Sequence, residues 1–200
     1  MNWCDIINNG SDSMTFYELL EMLLSDDVYN KLKQNEQKLF ELIPELKTCK
    51  GFNQNNKWHI YDVYEHILHV IDNTKPNIYL RLCALFHDIG KPLVYIEDEN
   101  GIGHFYNHWN KSIEIFKKYQ ECFELSAKEI ALINALIFYH DIKVNKLNVK
   151  ELKDMIDEIG ETNVKLLSDF KRADLLAQSP EFHNQLLDIN NQEEKVKIYK

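Results

Sequence analysis

Residues 85–92 have the sequence Leu85-Phe86-His87-Asp88-Ile89-Gly90-Lys91-Pro92. An imidazole and a carboxylate therefore stand side by side at the end of an apolar run, just before a glycine that can end a helix. Burying both side chains is costly unless a cation pairs with them, and a divalent metal ion is one such partner. A helix end can also solvate both groups, so the meaning of this dipeptide depends on the histidines elsewhere in the chain.

The stretch belongs to a chain that is patterned as successive helices. Thr15 with Glu18, and Ser126 with Glu129, form capping boxes that open apolar helical runs. The predicted helices cover about 27–43, 61–73, 77–90, 108–121, 126–141, 148–159 and 163–178, and a last one starts at Ser179-Pro180. The first of these is expected to stop at Pro44. Near 93–107 the Asn100-Gly101 pair predicts a short hairpin or an ordered loop. The sequence therefore predicts an all-α, single-domain helical bundle with one short insertion.

No Pro/Gly/Ser linker, internal repeat or low-complexity tract divides the 200 residues, a length that suits one domain. Within it we predict N-terminal helices over 1–40 that pack on the core. The core itself is expected over 41–180, followed by a C-terminal helix and tail over 181–200.

Composition excludes several classes of protein. With 44% hydrophobic and 12% aromatic residues the chain is globular, and its net charge of −9 without a Lys/Arg cluster argues against an extended nucleic-acid surface. A small anionic substrate stays open, since bound metal ions can dominate a local field. No apolar run is long enough for a membrane span, and the N-terminus has no basic signal region. The cysteines are widely spaced and form no Cys-x-x-Cys pair, so we expect reduced thiols and a cytoplasmic protein. The sequence does not indicate the oligomeric state.

The histidines and acids admit two interpretations. One predicted helix carries a polar line formed by His59, Asp62, His66 and Asn73. Such a line beside apolar positions is most often a solvated face. Other candidate ligands each lie near the end of an apolar helical segment, namely His87, Asp88, His108, His140 and Asp174. Because helix ends that meet at one pole of a bundle can form a metal site, we predict that these groups converge.

The order of His66, His87-Asp88 and Asp174 resembles the H…HD…D signature of the HD superfamily of metal-dependent phosphohydrolases. The resemblance extends in register over about 40–180 to the HD portion of bacterial CCA-adding tRNA nucleotidyltransferases. The stretches that carry it are Ile43-Pro44-Glu45-Leu46, Gly51-Phe52-Asn53-Gln54, His59-x-x-Asp62-Val63-Tyr64-Glu65-His66, His87-Asp88-Ile89-Gly90-Lys91-Pro92, Phe105-x-x-His108 and Arg172-Ala173-Asp174-Leu175-Leu176-Ala177-Gln178. The nucleotidyltransferase head of those enzymes has no counterpart here, so we expect a hydrolase module alone, without nucleotide addition to tRNA.

The resemblance implies a set of metal ligands. His66, His87, Asp88 and Asp174 would hold one divalent ion, while His108 and His140 match the extra histidines of members that hold two. This mixed nitrogen and oxygen set suits Mn²⁺, Ni²⁺, Co²⁺, Fe²⁺, Mg²⁺ or Zn²⁺ and does not choose among them.

The resemblance also implies a reaction, in which a metal-bound hydroxide attacks phosphorus. We expect a phosphomonoesterase or phosphodiesterase that acts on a small phosphorylated substrate, such as a nucleotide or cyclic nucleotide. Asp88 and Lys91 are the expected catalytic residues, and His59, Lys91 and Arg172 the expected substrate-binding residues. Lys91 would meet a phosphate as a point charge and Arg172 through a bidentate contact, although surface charge is an equal alternative for Arg172. Two other hypotheses stay open: a catalytically silent HD-like ligand-binding or sensor module, and a purely structural helical protein.

Overall fold

The computed structural model of the protein describes residues 13–198. Within that range the all-α prediction is confirmed, since the chain forms eleven α-helices and a single small hairpin. The helices are α1 (Phe16–Leu23), α2 (Val28–Gln34), α3 (Glu36–Leu42), α4 (Pro44–Cys49), α5 (Val63–Asn73), α6 (Ile78–Phe86), α7 (His108–Tyr119), α8 (Ala127–Tyr139), α9 (Val149–Ile159), α10 (Val164–Leu176) and α11 (Leu186–Ile198). Residues 1–12 of the predicted N-terminal segment lie outside the described part, and the division into 1–40, 41–180 and 181–200 stays a prediction.

Side-chain caps fix the starts of several helices where the sequence predicts them. Thr15 accepts a hydrogen bond from the Glu18 amide at 3.1 Å, and Ser126 accepts one from the Glu129 amide at 3.4 Å. In both capping boxes the backbone amide of the cap residue also donates a hydrogen bond to the glutamate carboxylate. Each cap satisfies amide groups that the first helical turn leaves without partners.

The single helix predicted over 27–43 is wrong, because the chain breaks at Asn35 into α2 and α3, whereas its predicted end at Pro44 is confirmed. At Asn35 the side-chain amide donates to the Lys31 carbonyl at 2.9 Å and ends α2, as asparagine does when it competes with the helical ladder. Pro44 stops the next segment and also begins α4, since a proline at the first helical position needs no amide hydrogen.

The helix predicted over 61–73 starts later than expected, at Val63. Asp62 is its N-cap and accepts from the Glu65 amide at 2.7 Å, and His59 lies in the loop before it. His59 and Asp62 therefore do not share one helical face with His66 and Asn73. The difference arises because Asp62 favours a cap over a helical position.

Helix α6 is the centre of the bundle and packs against α5 and α8. After it the chain turns tightly through His87-Asp88 into a short 3₁₀ helix, Lys91–Leu93. Gly90, which the sequence marks as a possible helix end, has φ −82° and so does not need glycine for its backbone conformation. It is needed for another reason: a Cβ there would lie 2.6 Å from the Ser112 amide nitrogen and 2.7 Å from the His108 carbonyl oxygen. The absence of a side chain lets the start of α7 dock on this turn.

The insertion predicted near 93–107 is confirmed as a two-stranded antiparallel hairpin. Its strands are β1 (Ile96–Glu97) and β2 (Gly103–His104), with Ile96 paired to His104. The Gly103 amide donates to the Asn55 carbonyl at 2.9 Å, which ties the hairpin to the loop before α5. This contact brings the hairpin and the loop to the same end of the bundle as the His87-Asp88 turn.

Two properties expected from the sequence were the state of the cysteines and the lack of a membrane span. Cys49 and Cys83 are free and buried, whereas Cys122 is disulfide-bonded, so the expectation of reduced thiols is wrong for Cys122. Cys4 lies outside the described residues. Among residues 13–198, no helix has the length and apolarity that crossing a membrane requires.

Candidate metal centre

Six side chains on five separate helical segments converge at one end of the bundle. His66 comes from the middle of α5, His87 from the end of α6, Asp88 from the turn that follows, His108 from the first residue of α7, His140 from the end of α8 and Asp174 from the last turn of α10. The sequence-based expectation that these groups meet agrees with their positions.

The first group lies around His66 and His87, which are both fully buried. The Nε2 atom of His66 is 3.0 Å from Asp174 Oδ1 and 3.3 Å from Asp88 Oδ2. The Nε2 atom of His87 is 3.2 Å from Asp88 Oδ2 and 3.4 Å from the Nε2 atom of His66. Two imidazole nitrogens and two carboxylate oxygens thus surround one point.

The second group lies on the other side of Asp88. The Nε2 atom of His108 is 3.0 Å from Asp88 Oδ1 and 3.1 Å from the Nε2 atom of His140. His140 Nε2 is 3.8 Å from the same carboxylate oxygen. Asp88 is therefore shared, with Oδ2 facing the first group and Oδ1 the second. These ligand atoms are close enough that each group can hold a metal ion.

The tautomers of the histidines follow from their other ring nitrogens. Nδ1 lies 2.8 Å from the Ala84 carbonyl in His87, 2.9 Å from the Phe105 carbonyl in His108 and 2.6 Å from the Ile137 carbonyl in His140. A carbonyl only accepts, so Nδ1 carries the proton and a neutral ring turns the Nε2 lone pair inward. Lone pairs that face one another this closely in a buried site repel unless a cation lies between them.

An unpartnered atom supports the same conclusion. Asp88 Oδ1 is buried and accepts no hydrogen bond, although His108 Nε2 lies 3.0 Å away. This is the expected arrangement if that nitrogen carries no proton. The imidazole nitrogens and carboxylate oxygens around this unpartnered atom are a donor set that fits a pair of divalent cations.

Local charge shifts the acid–base equilibria of the cluster. Burial lowers the pKa of His66, but hydrogen bonds to Asp174 and Asp88 outweigh it and raise that pKa to about 9. Burial opposes ionisation of Asp174, yet the hydrogen bond from His66 holds its pKa below the usual range. For His87 burial dominates and lowers the pKa. Both carboxylates are therefore ionised at neutral pH, and a cation that binds between them takes the place of the proton that His66 otherwise holds.

Lys91 joins the cluster to its surroundings. Its Nζ atom lies 2.6 Å from Asp88 Oδ2, donates to Gln54 Oε1 at 2.7 Å, and is 3.3 Å from His59 Nε2. His59 in turn is held by Asn56 Oδ1 at 2.9 Å from its Nδ1 atom. Burial and the charge of Lys91 lower the pKa of His59, so this ring is neutral and accepts from the lysine.

A cavity of about 870 Å³ opens onto the cluster. Asp88, Lys91, His108, His140 and Asp174 all line it, and so does His59. Trp58 and Tyr106 line it as well, and both rings are solvent-exposed. The volume falls within the range of small-molecule sites.

Arg172 is the one predicted site residue that lies elsewhere. Its guanidinium contacts Asp169 at 3.3 Å, Asn190 at 2.8 Å and Glu193 at 2.8 Å, and the residue is not part of the cavity wall. We therefore leave Arg172 out of the proposed substrate site. Its charge serves contacts between α10 and α11.

Sequence reasoning missed three residues of the site. Gln54 is buried and accepts from Lys91, Gln178 donates to Asp174 Oδ2 at 3.3 Å, and the buried Lys171 lines the cavity. Gln54 and Gln178 fall inside the stretches that carry the family resemblance, which is the signal that could have indicated them. Lys171 lies three residues before Asp174, and that spacing places it on the same side of α10.

Comparisons with known proteins agree with this geometry. The sequence model of the HD domain family matches residues 58–177, more than half of the chain. The A-adding tRNA nucleotidyltransferase of Deinococcus radiodurans is 28% identical over 108 residues, which are 51% of this chain and 25% of that protein. The chain thus matches only about a quarter of the length of that relative.

Proposed function

This chain belongs to the HD domain family, a family of metal-dependent phosphohydrolases, and we propose that it hydrolyses a phosphomonoester or phosphodiester bond in a nucleotide or cyclic nucleotide. The observation that carries the proposal is the position of Asp88 between two pairs of inward-facing imidazole nitrogens. Backbone carbonyls accept from Nδ1 of His87, His108 and His140, and this turns the Nε2 atom of each ring toward the shared carboxylate.

In this proposal His66, His87, Asp88 and Asp174 hold one divalent ion, and His108, His140 and Asp88 hold a second. Such ions lower the pKa of water toward neutrality and neutralise phosphate oxygens. The backbone carbonyls behind the imidazoles fix the rings in the ligating tautomer.

Lys91 is the protein group proposed to contact the reacting phosphate. Its ammonium is buried, is oriented by Gln54 and His59, and faces the cavity. A fixed positive charge stabilises the negative charge that develops on phosphate oxygens without any reorganisation during the reaction. His59 and Gln54 act by holding this lysine in place.

The nucleotide part of the proposal rests on the cavity wall. Trp58 and Tyr106 each present an exposed ring to the same cavity as the cluster. The Trp58 ring packs against the Phe182 ring, with ring centroids 3.7 Å apart. An exposed but supported aromatic ring is suited to stack on a planar base.

The test compares Asp88→Asn with Asp98→Asn, a matched change at a partly exposed acid of the hairpin whose partner is His104. Hydrolysis of p-nitrophenyl phosphate, bis-p-nitrophenyl phosphate and 2′,3′-cyclic nucleotides is measured with added Mn²⁺, Ni²⁺ or Mg²⁺. We expect the wild type to be active with at least one metal and Asp98→Asn to keep the wild-type rate. Asp88→Asn should lose at least about 100-fold in activity, because mutating groups that only support metal ligands already lowers activity about 10–100-fold.

Silence of the wild-type protein with every substrate and metal would contradict the hydrolase. If nucleotides nevertheless raised its melting temperature, the silent ligand-binding or sensor module would be favoured instead. Full activity in an Asp88→Asn protein would exclude the proposed role of the shared carboxylate.

A further inference from the structure

Lys171 is a buried cation whose charge the catalytic site leaves unused. The side chain comes from α10 and lines the cavity, yet the residue is only 9% exposed. A lysine is seldom buried to this extent unless an acid or several acceptors surround its ammonium group.

The protein supplies Lys171 with one acceptor, the Ile142 carbonyl oxygen. An ammonium group has three N–H donors, so two of them find no acceptor among the described residues. No carboxylate of the described chain forms an ion pair with it, and Asp174 is engaged by His66 at 3.0 Å. Burial lowers the pKa of Lys171 to about 8, despite the opposing fields of Asp141 and Asp174.

Two other buried cations of the described chain, Arg81 and Lys91, have more partners than Lys171, although Arg81 Nε has none. Arg81 donates to the Ser25 carbonyl at 2.8 Å and the Thr74 carbonyl at 3.0 Å, as well as to a third carbonyl. Lys91 contacts Asp88, Gln54 and His59. Of these three cations within residues 13–196, Lys171 has the fewest partners, and an anion in the cavity can supply the acceptors that it lacks.

The wall beside Lys171 carries further positive charge. Lys143 and Lys146, in the segment between α8 and α9, line the same cavity and are exposed. The Nζ atom of Lys195 donates to the Leu147 carbonyl oxygen of this segment at 3.1 Å. Asp141 and Asp188 also line the cavity, but neither forms an ion pair with these lysines.

We propose that Lys171, with Lys143 and Lys146, forms a second anion-binding subsite that takes a phosphate group of the substrate other than the one hydrolysed. The inference rests on the proposed function and narrows it to substrates with a further phosphate. Lys171 precedes Asp174 by three residues, about 4.5 Å along the helix axis, so one ligand with two phosphates can reach both the subsite and the metal centre.

The test measures binding rather than turnover. Inorganic phosphate and inorganic pyrophosphate are titrated calorimetrically into the full chain in excess Mg²⁺, with the wild type, Lys171→Met and Lys165→Met. Lys165 is the control, because it is an exposed lysine of the same helix that pairs with Asp169 at 2.8 Å. We expect pyrophosphate to bind the wild type more tightly than phosphate does. Lys171→Met should weaken the affinity for pyrophosphate about tenfold, which is the equivalent of one charge-assisted hydrogen bond. Its affinity for phosphate should change by less than about twofold.

Lys165→Met should match the wild type. Equal affinities of Lys171→Met and wild type for pyrophosphate, or equal losses for both anions, would overturn the subsite. If circular dichroism shows that Lys171→Met does not fold, the Lys143→Met/Lys146→Met variant decides, because both side chains are exposed. It should lose pyrophosphate affinity and spare phosphate, and an unchanged affinity would reject the proposal. A wild type that binds pyrophosphate through Lys171 but hydrolyses nothing would refute the proposed function alone.

Discussion

Replacing Gly90 by alanine tests whether close packing of α7 on the His87-Asp88 turn positions the second group of ligands. The added Cβ would lie 2.6 Å from the Ser112 amide nitrogen, 2.7 Å from the His108 carbonyl oxygen and 2.7 Å from Lys111 Cβ. Non-bonded carbon contacts are about 3.5–4.0 Å, so the start of α7 must retreat by roughly 1 Å. Metal ligands tolerate deviations of only about 0.2 Å, and His108 is the first residue of that helix.

Overpacking of this kind costs about 1–3 kcal/mol, which lowers the melting temperature of a chain this size by roughly 2–12 °C. Gly90→Ala should therefore melt earlier and lose the ion held by His108 and His140, while the ion at His66 and His87 remains. The control is Gly160→Ala, where φ is +83° and the backbone strain of a side chain costs about 1–3 kcal/mol. That variant should lose similar stability and keep its metal content. A Gly90→Ala protein with wild-type melting and full metal content would refute the reasoning.

Two further predictions concern the cavity wall and the acid stability of the fold. Trp58→Ala should raise KM for a nucleotide substrate roughly tenfold with little change in kcat, since stacking on a base contributes about 1–3 kcal/mol, whereas Tyr17→Ala, at an exposed ring outside the cavity wall, should change neither. For Glu45, burial opposes ionisation, but hydrogen bonds from Lys118 and Tyr119 hold its pKa below 4.5. The ionised carboxylate therefore stabilises the fold at pH values above the ordinary glutamate pKa. This contribution is lost as the pH falls through the lowered pKa of the folded state. In urea unfolding, Glu45→Gln should have a free energy of unfolding about 1 kcal/mol below that of the wild type at pH 7, and this difference should shrink in acid. A difference that does not change with pH would contradict the prediction.

Local signals in the sequence were sufficient for most of the fold. Capping at Thr15 and Ser126 involves residues three apart, so the sequence alone places those helix starts. The break at Asn35 was missed because its helix-ending bond to the Lys31 carbonyl competes on nearly equal terms with a continued helix. The role of Gly90 was missed because the close approach comes from α7, which only the tertiary structure brings there.

In the candidate site, too, some residues could be predicted from the sequence and others could not. The predicted ligands were found through the order of His66, His87-Asp88 and Asp174, a pattern that the family resemblance carries. The partners of Lys91 and Lys171 were not accessible, because Gln54 is 37 residues from Lys91 and Ile142 is 29 from Lys171. The position of Arg172 outside the cavity wall was equally inaccessible, because its acidic partner Glu193 lies on a helix 21 residues further along the chain.

The central claim is that the buried histidines and acids exist to hold divalent cations. Its most direct test is the metal content of the chain after incubation with Mn²⁺ and exhaustive dialysis, measured together with the melting temperature. We predict two equivalents in the wild type, one in His140→Ala and none in Asp88→Asn. A hundredfold excess of metal over Kd should stabilise the wild type by about 2.7 kcal/mol, or roughly 5–11 °C. A wild-type protein that retains no metal and melts at the same temperature with and without Mn²⁺, Ni²⁺ or Mg²⁺ would contradict the claim.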